Sequence, residues 1–456
     1  MPIGPPPLPG LPYPPPAVAF DPVTDHQLGP TEPVPRASLW SNPAFRRIWT
    51  AATVSIFGSL ITRMALPFVA ILVLSANSFD VALIRAMDLI AGLSIGLVAG
   101  AWVDRLRRRP VLIWADLGRA VLLTTIPIAA FGGWLSLPQL LIVAFLSAIL
   151  TTFFDSADVA FLPTIVQRGD LMRANGAIAA STSVSEFLAF GSAGFLVQLL
   201  TGPVTMLIDA ATYIVSAVLI GSIRVKEPPP KSKEEREPVL EEIRVGLRIV
   251  AHNPILRALT LASMALGGLW GVFGAIWYLF ALEDLGLDPA AIGIIAAVGG
   301  FASLVGAVFT TRLNRRFGIG PIVIGAMLMT ALGNFLMPLA PAGAPLIAMS
   351  FLIAQQLIND SAATAYDITE VSVRQSLVGD RQLGRVNATV RVGVLLASLV
   401  CTLAAGALAV QIGLRETAFI APIGGLLGAL ILWLSPVRRL QSVGPGEAGG
   451  PEAAPA

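Results

Sequence analysis

Runs of about twenty apolar residues, parted by short polar turns, follow one another from near residue 50 to near residue 436, and they limit what this chain can become more than any single motif does. A run of that length crosses the hydrocarbon core as a helix, at about 1.5 Å per residue, because a helix satisfies its own backbone where no water can. The runs fall near residues 50–74, 83–103, 111–131, 138–160, 174–200, 203–223, 257–282, 289–311, 320–340, 345–367, 386–411 and 416–436. Hydrophobic residues make up 55% of the chain, charged residues 13%, and the mean hydropathy is +0.77, far from a soluble domain. The expected fold is an all-α membrane protein of about twelve transmembrane helices. Gly191 with Gly194, and Gly299 with Gly300, mark places where helices approach closely.

Lysine and arginine gather in alternate loops, and short basic loops stay cytoplasmic. Arg46 and Arg47, Arg105 to Arg109, Arg168 with Arg173, Arg312 with Arg315 and Arg316, Arg374 with Arg381, and Arg438 with Arg439 all fall on one side. The opposite loops are nearly free of bases, as in Phe131 to Pro138, or acidic, as in Glu283 and Asp284; Arg415 is the exception. Both termini are therefore expected in the cytoplasm, with the chain threaded through a bacterial-type inner membrane. The net charge of +2 hides this asymmetry.

Residues 1–40 form a Pro-rich tail and 441–456 a tail of Gly, Pro, Ala and Glu, both expected to be disordered. Between them the chain divides into 41–223, a charged linker over 224–256, and 257–440. After the linker run Pro228 to Pro238, Leu240, Ile243, Leu247 and Val250 recur at helical spacing, with Glu241, Glu242, Arg244 and Arg248 on other faces. Such an amphipathic helix can lie on the membrane surface or pack on the ends of the spans. The single cysteine, Cys401, reads as a packed thiol, and His26 and His252 fall outside the spans, so carboxylates must carry any proton coupling. No metal or cofactor is expected.

The two parts echo each other. Leu171-Met-Arg173-Ala-Asn175-Gly176 enters the fifth span and Leu383-Gly-Arg385-Val-Asn387-Ala388 the eleventh; Arg105-Leu106 recurs as Arg312-Leu313, with Arg315 and Arg316 following. The second and third spans are joined by Gly100-Ala-Trp-Val-Asp104-Arg105-Leu106-Arg107-Arg108-Arg109-Pro110. This loop resembles the one between the second and third helices of major facilitator superfamily transporters, a pattern of Gly-x-x-x-Asp-Arg-x-x-Arg-Arg. Arg107 stands where many members carry Gly, and in the second copy Thr311 takes the place of Asp104. Asp116-Leu-Gly-Arg119, the run Phe153 to Pro163 and Leu171-x-Arg173-x-Asn175 look like the branch of enterobactin exporters and macrolide efflux pumps.

The resemblance implies two pseudo-symmetric six-helix bundles that export a small organic molecule, drug-like or siderophore-like, by alternating access. It also implies a proton gradient as the driving force, with a monomer touching only its small-molecule substrate and membrane lipids and no nucleic acid. The Gly-Pro often found in the fifth span of antiporters is Gly191-Ser192 here, which keeps a uniport facilitator or lipid flippase open. A non-transporting receptor or scaffold is the other class. Phosphate-binding, metalloprotease and nucleophile-elbow motifs are missing from the sequence, so an enzyme is not expected.

Two groups of residues stand out as candidates. The resemblance places Asp104 against the start of the eleventh span near Arg385. Arg105 and Arg108 are positioned to pair with Asp155 or Asp158, which stand three apart on one helical face, and together these form a gate. Arg107 and Arg109 read as topology and phospholipid contacts. Ionisable residues deep in spans are the second group: Arg63, Glu186 and Asp360. Glu186 lies about 18 Å into the fifth span at helical rise. It can bind a proton or a cationic substrate, with Arg63 neutralising it or attracting an anion, or the two can be a structural pair. Gln356, Asn359 and Asp360 of the tenth span either line a cavity or hold helices together, Gln356 and Asp360 sharing a face. Trp270, Phe273, Trp277 and Phe280 form a stripe that either stacks on a planar substrate or packs and anchors. Asp88, Asp116, Arg119, Asp209 and Arg391 read as structural or gating charges nearer span ends.

Overall fold

The computed structural model describes residues 38–103, 105–225, 227 and 239–441, and their regular elements are all helical. Residues 1–37 and 442–456 of the tails, the linker run Pro228 to Pro238 and the signature acid Asp104 lie outside the described residues, while the end of the first tail, expected to be disordered, forms a helical turn over Leu39–Ser41 because Leu39 is buried in the first-half core. The first half comprises α1 (Pro43–Leu74), α2 (Ser78–Val103), α3 (Arg108–Gly132), α4 (Leu137–Ile165), α5 (Leu171–Leu200) and α6 (Gly202–Gly221). A short helix, α7 (Val239–His252), leads into α8 (Pro254–Leu279), which ends in a π turn over Phe280–Asp284. The rest is α9 (Pro289–Phe317), α10 (Ile319–Asn334) continued by α11 (Leu336–Leu339), α12 (Pro345–Leu377), α13 (Asp380–Ile412), and α14 (Leu414–Ala418) continued by α15 (Ala421–Leu434).

Among the described residues ten spans are long and apolar enough to cross a membrane, counting α10 with α11 and α14 with α15 as one each. The remaining two long helices, α2 and α12, carry Arg85 and Asp88, and Gln355, Gln356, Asn359 and Asp360, and pack among the others. Outward-facing Leu72, Trp114, Ile128, Leu199, Val308 and Leu434 are exposed, an apolar surface that suits lipid.

Each half uses the same pairings. In the first, α1 packs on α5 and α6, α3 on α4 and α6, and α2 on α4; in the second, α8 packs on α13 and α15, α10 on α12 and α15, and α9 on α12. The duplication is also written at the helix starts. Asn42 accepts hydrogen bonds from Ala44 and Phe45 N–H at 2.9 and 3.3 Å ahead of Pro43, and Asn253 does the same for Ile255 and Leu256 at 3.0 and 3.1 Å ahead of Pro254. An Asn cap followed by Pro is an efficient start signal, and sequence reading passed over this Asn-Pro echo.

The halves meet where α5 crosses α9 and α2 crosses α13. At the end away from the Arg-rich loops, one apolar core draws on both halves, including Phe68, Val69 and Val197 with Ile276, Phe280 and Ile292. At the Arg-rich end the described residues form separate cores: Phe45, Leu112 and Phe161 in the first half, and Leu259, Val323 and Tyr366 in the second. Among the described residues the apolar core is thus sealed across the halves at one end and divided between them at the other.

Three expectations change at the Arg-rich end. Arg109 does not face lipid: its Nε donates to Ile220 O at 3.2 Å and its Nη2 to Gly221 O, closing the last turn of α6. Arg108 is buried, and the N–H groups of Arg108 and Arg109 donate to Glu227 at 2.6 and 3.1 Å. A carboxylate there satisfies free amides and the positive helix end together, so Glu227→Ala should cost roughly 1 kcal/mol, read as a lower thermal midpoint of the purified protein. Third, α7 takes one of its two expected places, on the end of α13, but with a different face: Gly246 is pressed on Arg385 O and Val250 buried beside Val386 and Val390. Leu247, placed by its spacing on the packed face, is exposed.

Candidate functional site

Between the halves lies a cluster of charges drawn from four helices. Glu186 stands at the middle of α5, in the field of Arg63 from α1. Arg63 in turn acts on Arg85 and Asp88 of α2 and on Tyr278 of α8. Arg85 Nη1 and Asp88 Oδ2 are 3.4 Å apart, and Arg85 lies beside Gly274 of α8. Arg63 is exposed although it sits well inside a span, so it faces an opening rather than a packed interior. Sequence reading found Arg63 and Glu186; it missed Arg85 and Tyr278 and took Asp88 for a span-end charge. Their signal is depth: an ionisable side chain inside a span needs a partner.

Asp360 sits beyond α9 from Glu186. Gln356 Nε2 donates to Asp360 Oδ2 at 3.3 Å, as their shared face predicted, and Asn359 Nδ2 donates to Asp360 Oδ1 at 3.4 Å. The network runs deeper, because Asn334 Nδ2 donates to Asn359 Oδ1 at 2.7 Å and Gln355 Nε2 to Asn334 Oδ1 at 3.4 Å. Asn334 was missed; a lone amide in an apolar run was its only mark. The glycine pair explains the approach. A side chain on Gly299 would strike the Asp360 carboxylate and Gln356 Nε2, while Gly300, one residue on, lies against Phe187 and the Glu186 backbone. Helix α9 is therefore the thin wall between the two deep carboxylates.

At the Arg-rich end the expected gate is differently wired. Arg105 and Arg108 do not reach Asp155 or Asp158, since Glu227 holds the start of α3 elsewhere. The cations whose fields reach Asp155 are Arg119 and Arg391, and Arg391 lies beside Gly96 of α2, so the attraction across the halves joins α4 to α13. Asp158 feels the acids Asp155 and Asp116 instead. Arg385 is half-buried in the first turns of α13. Asp116, Arg119 and Asp209, read as span-end charges, are among the most buried polar side chains in the molecule, at 0, 2 and 0% exposure.

The aromatic stripe is continuous but serves two ends. Trp270, Phe273 and Trp277 follow at 5.6 and 5.7 Å between ring centroids, and Trp277 continues to Tyr278 at 4.9 Å. Trp277 is buried and its Nε1 has no partner; Trp270 and Phe273 are half-buried. Phe280 belongs to another feature: it lies 5.3 Å below the Arg415 guanidinium, which binds Asp284 Oδ2 at 2.6 Å and the carbonyls of Pro338 and Ala340 at 2.7 Å each. That clasp accounts for the one base among the acidic loops. A groove of about 550 Å³ on the second half, lined by Pro321, Ile324, Gly325, Trp433, Arg438 and Arg439, shares no residue with this cluster. Among the described residues no group of His, Cys, Asp or Glu is placed to hold a metal ion.

Comparison with known proteins agrees with this architecture. The family model described as Major Facilitator Superfamily matches residues 48–354 and 259–455. The multidrug efflux pump Tap of Mycolicibacterium fortuitum is 27% identical over 300 residues, spanning 63% of this chain and 73% of Tap. Macrolide efflux protein A of Streptococcus pyogenes is 22% identical over 250 residues, spanning 55% of this chain and 62% of that protein. A bacterial homologue of the iron transporter ferroportin, crystallised in an inward-facing state, superposes with a TM-score of 0.70 over 87% of this chain and 98% of its own, at 16% identity. At that identity the likeness extends to the fold alone.

Proposed function

Because this chain belongs to the Major Facilitator Superfamily, a membrane transporter fold with efflux pumps among its relatives, we propose that it exports a small organic molecule by alternating access in exchange for protons, with Glu186 as the exchanging carboxylate. The observation that carries this reading is the Arg63, Arg85, Asp88, Glu186 and Tyr278 cluster, contributed by both halves of a molecule whose apolar core is shared at one end and divided at the other. A half-buried carboxylate with an exposed guanidinium in its field can trade a proton for a cationic group. The half-buried faces of Trp270 and Phe273 would take an apolar or planar body. Both termini and the Arg-rich loops face the cytoplasm in this reading, following the charge bias of the loops.

A facilitator is the second reading, favoured by Gly191-Ser192, where Gly191 packs directly on Ala297 of the other half. Proteoliposomes with an imposed pH gradient separate the two. Exchange predicts flux of an aromatic cationic drug that follows the gradient; flux to equilibrium regardless of the gradient would establish the facilitator. No flux across a broad panel would favour a scaffold.

A further inference from the structure

A second set of ionisable groups lies inside the first half, next to α1 and apart from the Glu186 cluster. Arg119 of α3 is its hub: Nη2 donates to Asp116 Oδ1 at 2.5 Å and Nη1 to Thr151 Oγ1 at 3.3 Å. The Phe154 and Tyr213 rings lie 4.5 and 4.2 Å from the guanidinium carbon, filling the space where another carboxylate would pair. Asp209 of α6, in the field of both Arg119 and Asp116, holds the Thr212 hydroxyl at 3.0 Å through Oδ1 and has the Thr62 hydroxyl of α1 beside it. Among the described residues Asp209 Oδ2, Asp116 Oδ2 and Ser216 Oγ find no partner within 3.5 Å, on residues that are all 0% exposed, the Ser216 hydroxyl lying nearest Asp116.

Two carboxylates and one guanidinium in a dry interior carry a net negative charge, and a buried carboxylate oxygen without a donor is among the costliest groups a protein can keep. The surroundings do not relieve it. From α4, Asp158 adds another acid facing Asp116, and Asp155 competes for Arg119; α1 offers the hydroxyls of Ser59 and Thr62; the acid of α5, Glu186, is in the field of Arg63. One proton on the pair makes the set neutral and turns an orphan oxygen into a donor. We propose that Asp116 and Asp209 share a proton beside α1, forming a proton-binding site distinct from the one between the halves.

The placement gives that proton a lever. Gly58 has no side chain where Asp209 and Thr212 press on α1, and Ser59 shares a hydrogen bond of 2.9 Å with the Tyr213 hydroxyl. Arg63 follows one helical turn after Ser59 on the same face. Release of the proton sets an uncompensated charge against α1 one turn from the guanidinium that faces the opening. This use in transport rests on the proton-exchange reading; the binding of the proton does not.

Infrared difference titration of the reconstituted protein tests the site without any transport step. A Glu186→Gln, Asp360→Asn double variant removes two other deep carboxyls, and the further substitutions at Asp116 and Asp209 separate the band from Asp88, Asp155 and Asp158, which remain. The double variant is expected to keep a protonated-carboxyl stretch near neutral pH that titrates on alkalinisation, and Asp209→Asn or Asp116→Asn added to it should abolish that band. Where neither folds, Asp209→Glu should displace the band. Absence of the band in the double variant, or a band indifferent to both Asp116 and Asp209, would overturn the site. Because flux is not measured, a transporter that proves to be a facilitator leaves this result standing.

Discussion

Glu186→Gln should leave substrate exchange running and abolish its acceleration by a pH gradient. For one proton exchanged per substrate, each unit of pH difference is worth about 1.4 kcal/mol, or roughly tenfold accumulation. The variant should bring that factor to about one, whatever the gradient. Gln keeps the volume and a polar end, and the Arg63 it leaves behind is exposed rather than packed, so the fold should survive. The measurement is paired: gradient-driven flux and gradient-free counterflow on the same proteoliposomes. Normal gradient-driven transport by folded Glu186→Gln would remove Glu186 from the coupling role, and Asp360, across α9, would be the next carboxyl to replace.

Gly194→Leu should disable the sealed end. Gly194 of α5 faces the Pro289 carbonyl and the Gly293 backbone of α9, and even a methyl group there would overlap that carbonyl oxygen. Backbone cannot swing aside as a side chain can, so the halves must separate at the end away from the Arg-rich loops, where Gln198 Oε1 also accepts from Ala290 N–H at 3.2 Å. Overpacking of this kind costs about 1–3 kcal/mol, and each 1.36 kcal/mol is a factor of ten in rate. Turnover should therefore fall by about 10- to 100-fold. Spin labels across that end should move apart. Gly191→Ala is the milder control, since its new carbon would meet the Ala297 methyl at 3.4 Å, a tight contact between side chains. Unchanged label distances with normal turnover would show that this crossing does not govern closure.

What could be read from the sequence is what short range encodes. Apolar runs, the paired glycines and the Gln356 and Asp360 face all depend on residues a few positions apart, where helix geometry alone sets the neighbour, while the Arg173 and Arg385 echo is legible because a repeated run needs no contact to be seen. The partners that were missed are far away in the chain. Arg415 finds Asp284 across 131 positions, and Arg108 finds Glu227 across 119. Nothing local distinguishes Arg109, which closes α6, from an arginine bathed in lipid headgroups, or Asp209, sealed at 0% exposure, from a span-end charge. Depth along a helix was legible, but not which way the side chain turned.

The division of the apolar core has a consequence for how the protein is made. Everything that builds the core of Phe45, Leu112, Phe161 and Ile220 is translated before the linker, so the Arg-rich end of the first half can be completed while the ribosome is still at work. Phe68 and Val69, at the other end of the same helices, wait for Ile276 and Phe280 to be synthesised and inserted. The nascent chain is finished on one side of the membrane and unfinished on the other, and that open side is where a chaperone of membrane insertion would have to hold it.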